Sequence, residues 1–170
     1  NNSAAGGSDN QGGGIYASGN TVSDNTFSGN SANRGGAIYS FKGTVTNNTV
    51  TNNTTSWTAS IYMNEGTALG NTLQNNSAVN GGGIYGYKAT LTGNTVENNT
   101  ANLGAGILST ESTVRGNTLT GNTAQSDGGG IYAEGGTVTY NIINGNTAPS
   151  WGHGSGAYIA NVTDFSYNEV

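Results

Sequence analysis

The stretch GGGIYGYKATLTGNTVENNTANL, residues 81–103, decides the fold, because the chain repeats its pattern from one end to the other. Its landmarks are Ile84, an aliphatic seven residues later at Leu91, a second apolar residue five further on at Val96, and Asn99 three beyond that. The same spacing recurs as Ile15, Val22, Phe27, Asn30; as Ile38, Val45, Val50, Asn53; and as Ile61, Ala68, Leu73, Asn76. Units beginning at Gly12, Gly35, Thr58 and Gly81 are each 23 residues long. Two longer units, from Gly104 and Gly128, keep it with Ile107, Val114, Leu119, Asn122 and Ile131, Val138, Ile143, Asn146, and a degenerate last unit ends on Phe165 and Asn168. A unit this short cannot bury an apolar face by itself, so a fixed period of this size means stacked units sharing one core.

Each apolar position lies in a short Thr/Val/Ile-rich run bounded by Gly or Asn, and none holds helical spacing for the length of a helix. The pattern predicts an all-β right-handed parallel β-helix, a solenoid of three strands per coil, about 23 residues per coil and roughly seven coils. The strands are expected around the Ile, Val and third apolar positions, each pairing with its equivalent about 4.8 Å away in the next coil. Residues 1–170 read as one domain, with 1–11 a partial first coil and 154–170 a degenerate last one. Ala32, Ala78, Ala101, Ala124 and Ala148 are expected as a small-residue column at a tight corner.

Asn recurs at two turns, and two structural columns follow: Asn25, Asn48, Asn71, Asn94, Asn117, Asn141, and Asn30, Asn53, Asn76, Asn99, Asn122, Asn146. Asn tolerates the left-handed backbone of a sharp corner, and its amide can bond to the equivalent amide one coil on. Lys42, Glu65, Lys88 and Glu111, each four residues after an Ile, alternate in sign up the stack and support this register.

Only 8% of residues are charged, with a net charge of -5, so a nucleic-acid surface is excluded. There is no Cys, hence no disulfide, and no run approaches the roughly 20 apolar residues of a membrane span. Enzymes built on β-helices need clustered carboxylates, often with Lys or Arg. Here Asp24 and Glu97 lie three coils apart, Glu65 and Glu111 belong to the alternating column, and Asp127 and Asp164 stand alone. No catalytic residue, cofactor or metal site is therefore expected. The calcium-binding pattern GGxGxD is also missing, since Gly12-Gly13-Gly14 leads into Ile15 and Tyr16.

Gly35-Gly36-Ala37-Ile38, with Phe27-Ser28-Gly29-Asn30 and Phe165-Ser166-Tyr167-Asn168, resembles the GGA[ILV] and FxxN motifs of chlamydial polymorphic outer-membrane proteins, and also the repeats of adhesin-like surface proteins of methanogenic archaea. The resemblance implies a β-helical passenger, an extracellular, surface-attached location, and an adhesive or structural role.

Contact surfaces are sought in the outward columns. Tyr16, Tyr39, Tyr62, Tyr85 and Tyr132 form an aromatic stripe widened by Phe41 and Tyr87; at one strand spacing the rings can stack on each other as a purely structural ladder, or the stripe is a candidate platform for sugar rings or a second β-helix. Trp57, and Trp151 with His153 in the longest loop, are candidate loop contacts. The expected partners are surface glycans or proteins, or the chain itself, stacked head to tail because Asn168, Glu169 and Val170 match Asn2, Ser3 and Ala4, or packed laterally. The rival function is ice binding through Thr44-Val45-Thr46, Thr90-Leu91-Thr92 and Thr137-Val138-Thr139, a face interrupted by Leu69 and Arg115; the column Thr26, Thr49, Thr72, Thr95, Thr118 is flanked by Gln74 and Glu97. Asn1, Asn47, Asn52, Asn53, Asn75, Asn98 and Asn161 open Asn-x-Ser/Thr sequons.

Overall fold

The computed structural model describes residues 2–4 and 10–170; Asn1, with its sequon, lies outside them. The chain is a parallel β-solenoid of about seven turns. In the second coil the strands are Ile38–Thr46, Thr49–Thr51 and Thr54–Thr58, and they define three parallel sheets along the stack. The register is that of the repeat: Ile38 pairs with Ile61, Ile61 with Ile84, Ile84 with Ile107 and Ile107 with Ile131.

The partition of the inner coils differs from the one expected. In coils two to six the Ile and Val positions lie on one nine-residue strand, such as Ile38–Thr46, whereas the first coil keeps two, Ile15–Ser18 and Thr21–Ser23. The third strand is Thr54–Thr58 and its equivalents, so Ala32, Ala78, Ala101 and Ala124 line a sheet and not a corner. Ala32, Ala101 and Ala124 are buried there, with Thr55 filling the same place in the second coil. Small residues are needed because the Gly-rich turn crosses close by. A Cβ on Gly82 would lie 2.5 Å from the Ala105 carbonyl oxygen and 2.6 Å from that of Thr100.

The core is a set of columns rather than layers. Ile38, Ile61, Ile84, Ile107 and Ile131 are fully buried, as are Val45, Ala68, Leu91, Val114 and Val138, and Val50, Leu73, Val96 and Leu119. A further interior column has no apolar signature in sequence: Ala17, Ser40, Met63, Gly86, Ser109 and Ala133, in register on the long strands. It compensates volume within each coil. Met63 shares a coil with Ala68, while Gly86 shares one with Leu91, and a Cβ on Gly86 would lie 2.9 Å from Leu91 Cδ1. Ser40 and Ser109 place buried hydroxyls in this column without a hydrogen-bond partner. Ser109→Ala is therefore expected to raise stability by about 1 kcal/mol, because it removes a desolvated group that nothing satisfies. A melting temperature at or below that of the parent would contradict this.

The two Asn columns form as expected, but not through the backbone conformation assigned to them. The left-handed residue at each turn is the one before the column Asn: Asn47 (φ 55) before Asn48, Asn52 (φ 55) before Asn53, Gly70 (φ 64) before Asn71. The column Asn provides hydrogen bonds instead. Asn76 Oδ1 accepts from the Asn53 backbone N–H at 2.9 Å and from Asn53 Nδ2 at 3.0 Å. Asn76 Nδ2 donates to Asn99 Oδ1 and to the Val50 carbonyl, both at 2.9 Å. The second of these bonds explains the apolar-x-x-Asn spacing. From the second coil on, the column Asn caps the carbonyl of the apolar residue one coil back: Asn48 that of Val22, Asn71 that of Val45, Asn53 that of Phe27.

Both turns use this device, so the last coil settles differently from the expectation. Phe165 pairs with Val138, and Asn168 Oδ1 accepts from the Asn141 N–H at 2.9 Å. Phe165-x-x-Asn168 thus occupies the first turn, whereas Phe27-x-x-Asn30 occupies the second, where the Asn2 N–H bonds to Asn30 Oδ1 at 2.9 Å. Asn168 and Asn2 therefore belong to different columns, and the expected equivalence of Asn168, Glu169 and Val170 with Asn2, Ser3 and Ala4 does not hold.

Candidate functional site

The long strands present the candidate contact face. Alternation puts Ile38 and Ser40 inside and Tyr39 and Phe41 outside, and the register stacks Tyr16, Tyr39, Tyr62, Tyr85, Leu108 and Tyr132. Tyr158, which sequence reading missed, continues the stripe beyond Tyr132 at 4.6 Å between ring centroids. The rings lie against one another, Tyr16 to Tyr39 at 5.2 Å and Tyr39 to Tyr62 at 4.7 Å, with interplanar angles of 6° and 9°. The faces of Tyr16, Tyr39 and Tyr62 are therefore closed toward one another, whereas Tyr85 is tilted by 43° to Tyr62 and pairs with Leu108 on its other side. Tyr39 is only 6% exposed and Tyr16 is 53% exposed, so the stacked part of the stripe offers mainly ring edges. Burial pushes the phenols of Tyr85 and Tyr132 above the usual tyrosine range.

Beside the stripe runs the charged column. Lys42, Glu65, Lys88 and Glu111 carry φ of 55, 59, 51 and 50°, and the ladder is interrupted at them without any shift of register, so each sits at a left-handed kink of its long strand. Gly19 and Gly135 hold the same position in the first and sixth coils with φ of 70°. Lys42 bridges Glu65 at 3.6 Å and Lys88 bridges Glu111 at 3.4 Å, giving two exposed pairs rather than one continuous chain. Lys42 also lies over the Phe41 ring at 5.0 Å and Lys88 over that of Tyr87 at 5.1 Å. The Tyr87 hydroxyl, and secondarily the Glu111 carboxylate, hold the Lys88 ammonium above its ordinary range. A left-handed residue with a Cβ costs about 1–2 kcal/mol. The exposed ion pairs, screened by solvent, contribute little. The ion pairs by themselves therefore do not account for residues with a Cβ at positions where Gly19 and Gly135 serve in other coils.

The candidate loop contacts separate. Trp57 lies on the strand Thr54–Thr58 rather than in a loop, and the Arg34 guanidinium stacks on its ring at 4.2 Å. Trp151 is in the long loop and 70% exposed. His153 is tied back to the body, its backbone N–H donating to Asp127 Oδ1 at 2.6 Å and its Nδ1 lying 3.0 Å from the same oxygen. The Ser126 hydroxyl, followed by the His153 amide, holds the Asp127 carboxyl below its usual range. Sequence reading also missed an aromatic pair at the first turn. Tyr140 and Tyr167 stack at 4.7 Å, both left-handed, with the Arg115 guanidinium 4.0 Å from the Tyr140 ring.

Two polar features complete the surface. Thr21, Thr44, Thr67, Thr90, Thr113 and Thr137 form an unbroken column in register. Its companion is interrupted by Leu69 and Arg115, and in the neighbouring sheet Gln74 donates to Glu97 at 2.8 Å. Among the sequons, Asn53 is sealed in its column at 1% exposure, whereas Asn47, Asn52, Asn75, Asn98 and Asn161 are exposed at left-handed turns.

Comparison with known families points the same way as the architecture. A family model described as periplasmic copper-binding protein (NosD) matches residues 4–113. A second, described as Chlamydia polymorphic membrane protein repeat, matches residues 118–134, a stretch that holds Leu119, Asn122, Gly128 and Ile131. Comparisons with curated proteins and with solved structures return no match.

Proposed function

The chain belongs to the NosD family, and from that premise we propose that it is a non-enzymatic structural and adhesive rod working outside the cytoplasm. The observation that carries this reading is the outward surface itself. Coil after coil repeats the same Tyr, Thr and charged positions, so chemistry is spread along the rod instead of gathered in one coil. Spread contacts suit many weak attachments to an extended partner, such as a surface glycan. The match to a membrane-protein repeat supports the surface location.

The family description names copper, and the residues here do not fit it. The matched stretch 4–113 contains no His and no Cys, and its one Met, Met63, is fully buried in the core. Copper sites draw on imidazole, thiolate and thioether ligands. The only His, His153, lies outside the match, and no group of three His, Cys, Asp or Glu residues converges among the described residues.

Adhesion is tested with the purified chain on immobilised glycans and on cell surfaces. The combined replacement of Tyr39, Tyr62 and Tyr85 by Ser is expected to keep the β-sheet circular dichroism, to lose about 0.5–1.5 kcal/mol per stacked pair, and to reduce retention about tenfold or more. Retention of neither chain on any surface, or equal retention of both, would reject the reading.

The unbroken Thr column favours a second reading, ice binding. Equivalent hydroxyls recur about every 4.8 Å along the stack, a regular template for ordered water. Thermal hysteresis or ice-crystal shaping by the purified chain would decide for it, and their absence would remove it.

A further inference from the structure

We propose that the charged column is a self-recognition strip through which two copies of this chain pack side by side in antiparallel orientation. The argument begins with the order of signs. Lys42, Glu65, Lys88 and Glu111 read plus, minus, plus, minus up the stack. A copy turned by a two-fold axis along the strand direction, midway between the third and fourth coils, reads the column in reverse. Lys42 then faces Glu111 of the partner subunit, and Glu65 faces the partner's Lys88, so all four positions meet an opposite charge. Parallel copies in the same register would set like charges together. Among two-fold contacts the strip is thus complementary to itself only in the antiparallel orientation; a parallel copy offset by one coil matches three charges but forms a contact that does not close.

Three further observations converge on it. The column has no net charge in a chain of net charge -5, so it is a place where two copies can approach without meeting that repulsion. Its residues stand at left-handed kinks in the ladder where Gly serves in other coils, and the two exposed internal bridges offset little of that strain. Both bridges are half exposed, leaving each ammonium and carboxylate able to accept a second partner. The same two-fold lays Tyr62 opposite the partner's Tyr85, adding an apolar edge to the polar strip. Four coils span only about 15–20 Å. The contact is well short of the roughly 800 Å² per partner of a standard interface, so the pair is weak, salt-sensitive and reversible.

This inference names a partner within the adhesive reading and rests on it for biological meaning, since antiparallel rods are what two facing surfaces would bring together. Its test is independent of glycan retention. In sedimentation velocity at low salt the chain is expected to show a concentration-dependent dimer that dissociates on adding salt. Glu65→Lys and Lys88→Glu, each giving two like-charge contacts, are expected to weaken the dimer at least about tenfold. An equimolar mixture of these two variants restores every opposite pairing and is expected to dimerise as the parent does. The double variant, Glu65→Lys with Lys88→Glu, also restores the intermolecular pairing while both internal bridges become like-charged, which separates association from folding. A parent chain that stays monomeric, single variants that associate like the parent, or a mixture that stays monomeric would each overturn the proposal. Glycan retention that survives in the monomeric single variants would leave the adhesive reading standing by itself.

Discussion

Replacing Ile84 with Asp is expected to abolish the native fold of the central coils. Ile84 is fully buried between Ile61 and Ile107, and its neighbours inside the coil are equally sealed. A carboxylate there has no partner and no water, so it either protonates or opens the coil. Either route costs several kcal/mol, against a total stability of about 5–15 kcal/mol for a domain. A solenoid transmits such damage locally, because each coil contacts only its neighbours. Hydrogen exchange should therefore show protection lost first around coils three to five, with the melting transition broadened or split. An unchanged β spectrum and melting temperature would mean that Ile84 is not in the interior column.

Asn76→Leu, nearly matched in size, is the second large effect expected. It removes the acceptor for the Asn53 N–H and Nδ2 and the donors to the Val50 carbonyl and Asn99 Oδ1, all inside the stack. Leaving even two of these groups without partners costs about 1–3 kcal/mol each. A loss of about 3–5 kcal/mol in chemical denaturation is expected. The control is an exposed turn residue one position earlier: Asn75→Gly keeps the left-handed conformation that Asn75 adopts (φ 56) and is expected to be close to neutral. Comparable losses in both variants would show that the backbone turn, and not the amide column, carries the stability.

The interval from Ile84 to Leu91 to Val96 to Asn99 was enough to establish a stack of coils, their period and their interior columns, because these depend only on which residues must leave water and how often they recur. The Asn columns were legible for the same reason: a polar residue demanded once per turn is satisfied by its own copies. Three features needed the folded chain. The column Ser40, Met63, Gly86, Ser109 carries no hydrophobic signature, since its sizes answer the residue beside it in the coil rather than the residue type above and below. The placement of Phe165-x-x-Asn168 at the first turn was hidden because both turns use the same apolar-x-x-Asn spacing, and only pairing with Val138 and Asn141 distinguishes them. Alternation along the long strands puts the aromatic stripe on the outer face, but whether its rings show faces or edges depends on side-chain rotation. Parallel strands place equivalent Tyr residues at one stacking distance, so the faces close on each other and Tyr39 disappears from the surface that its outward position had suggested.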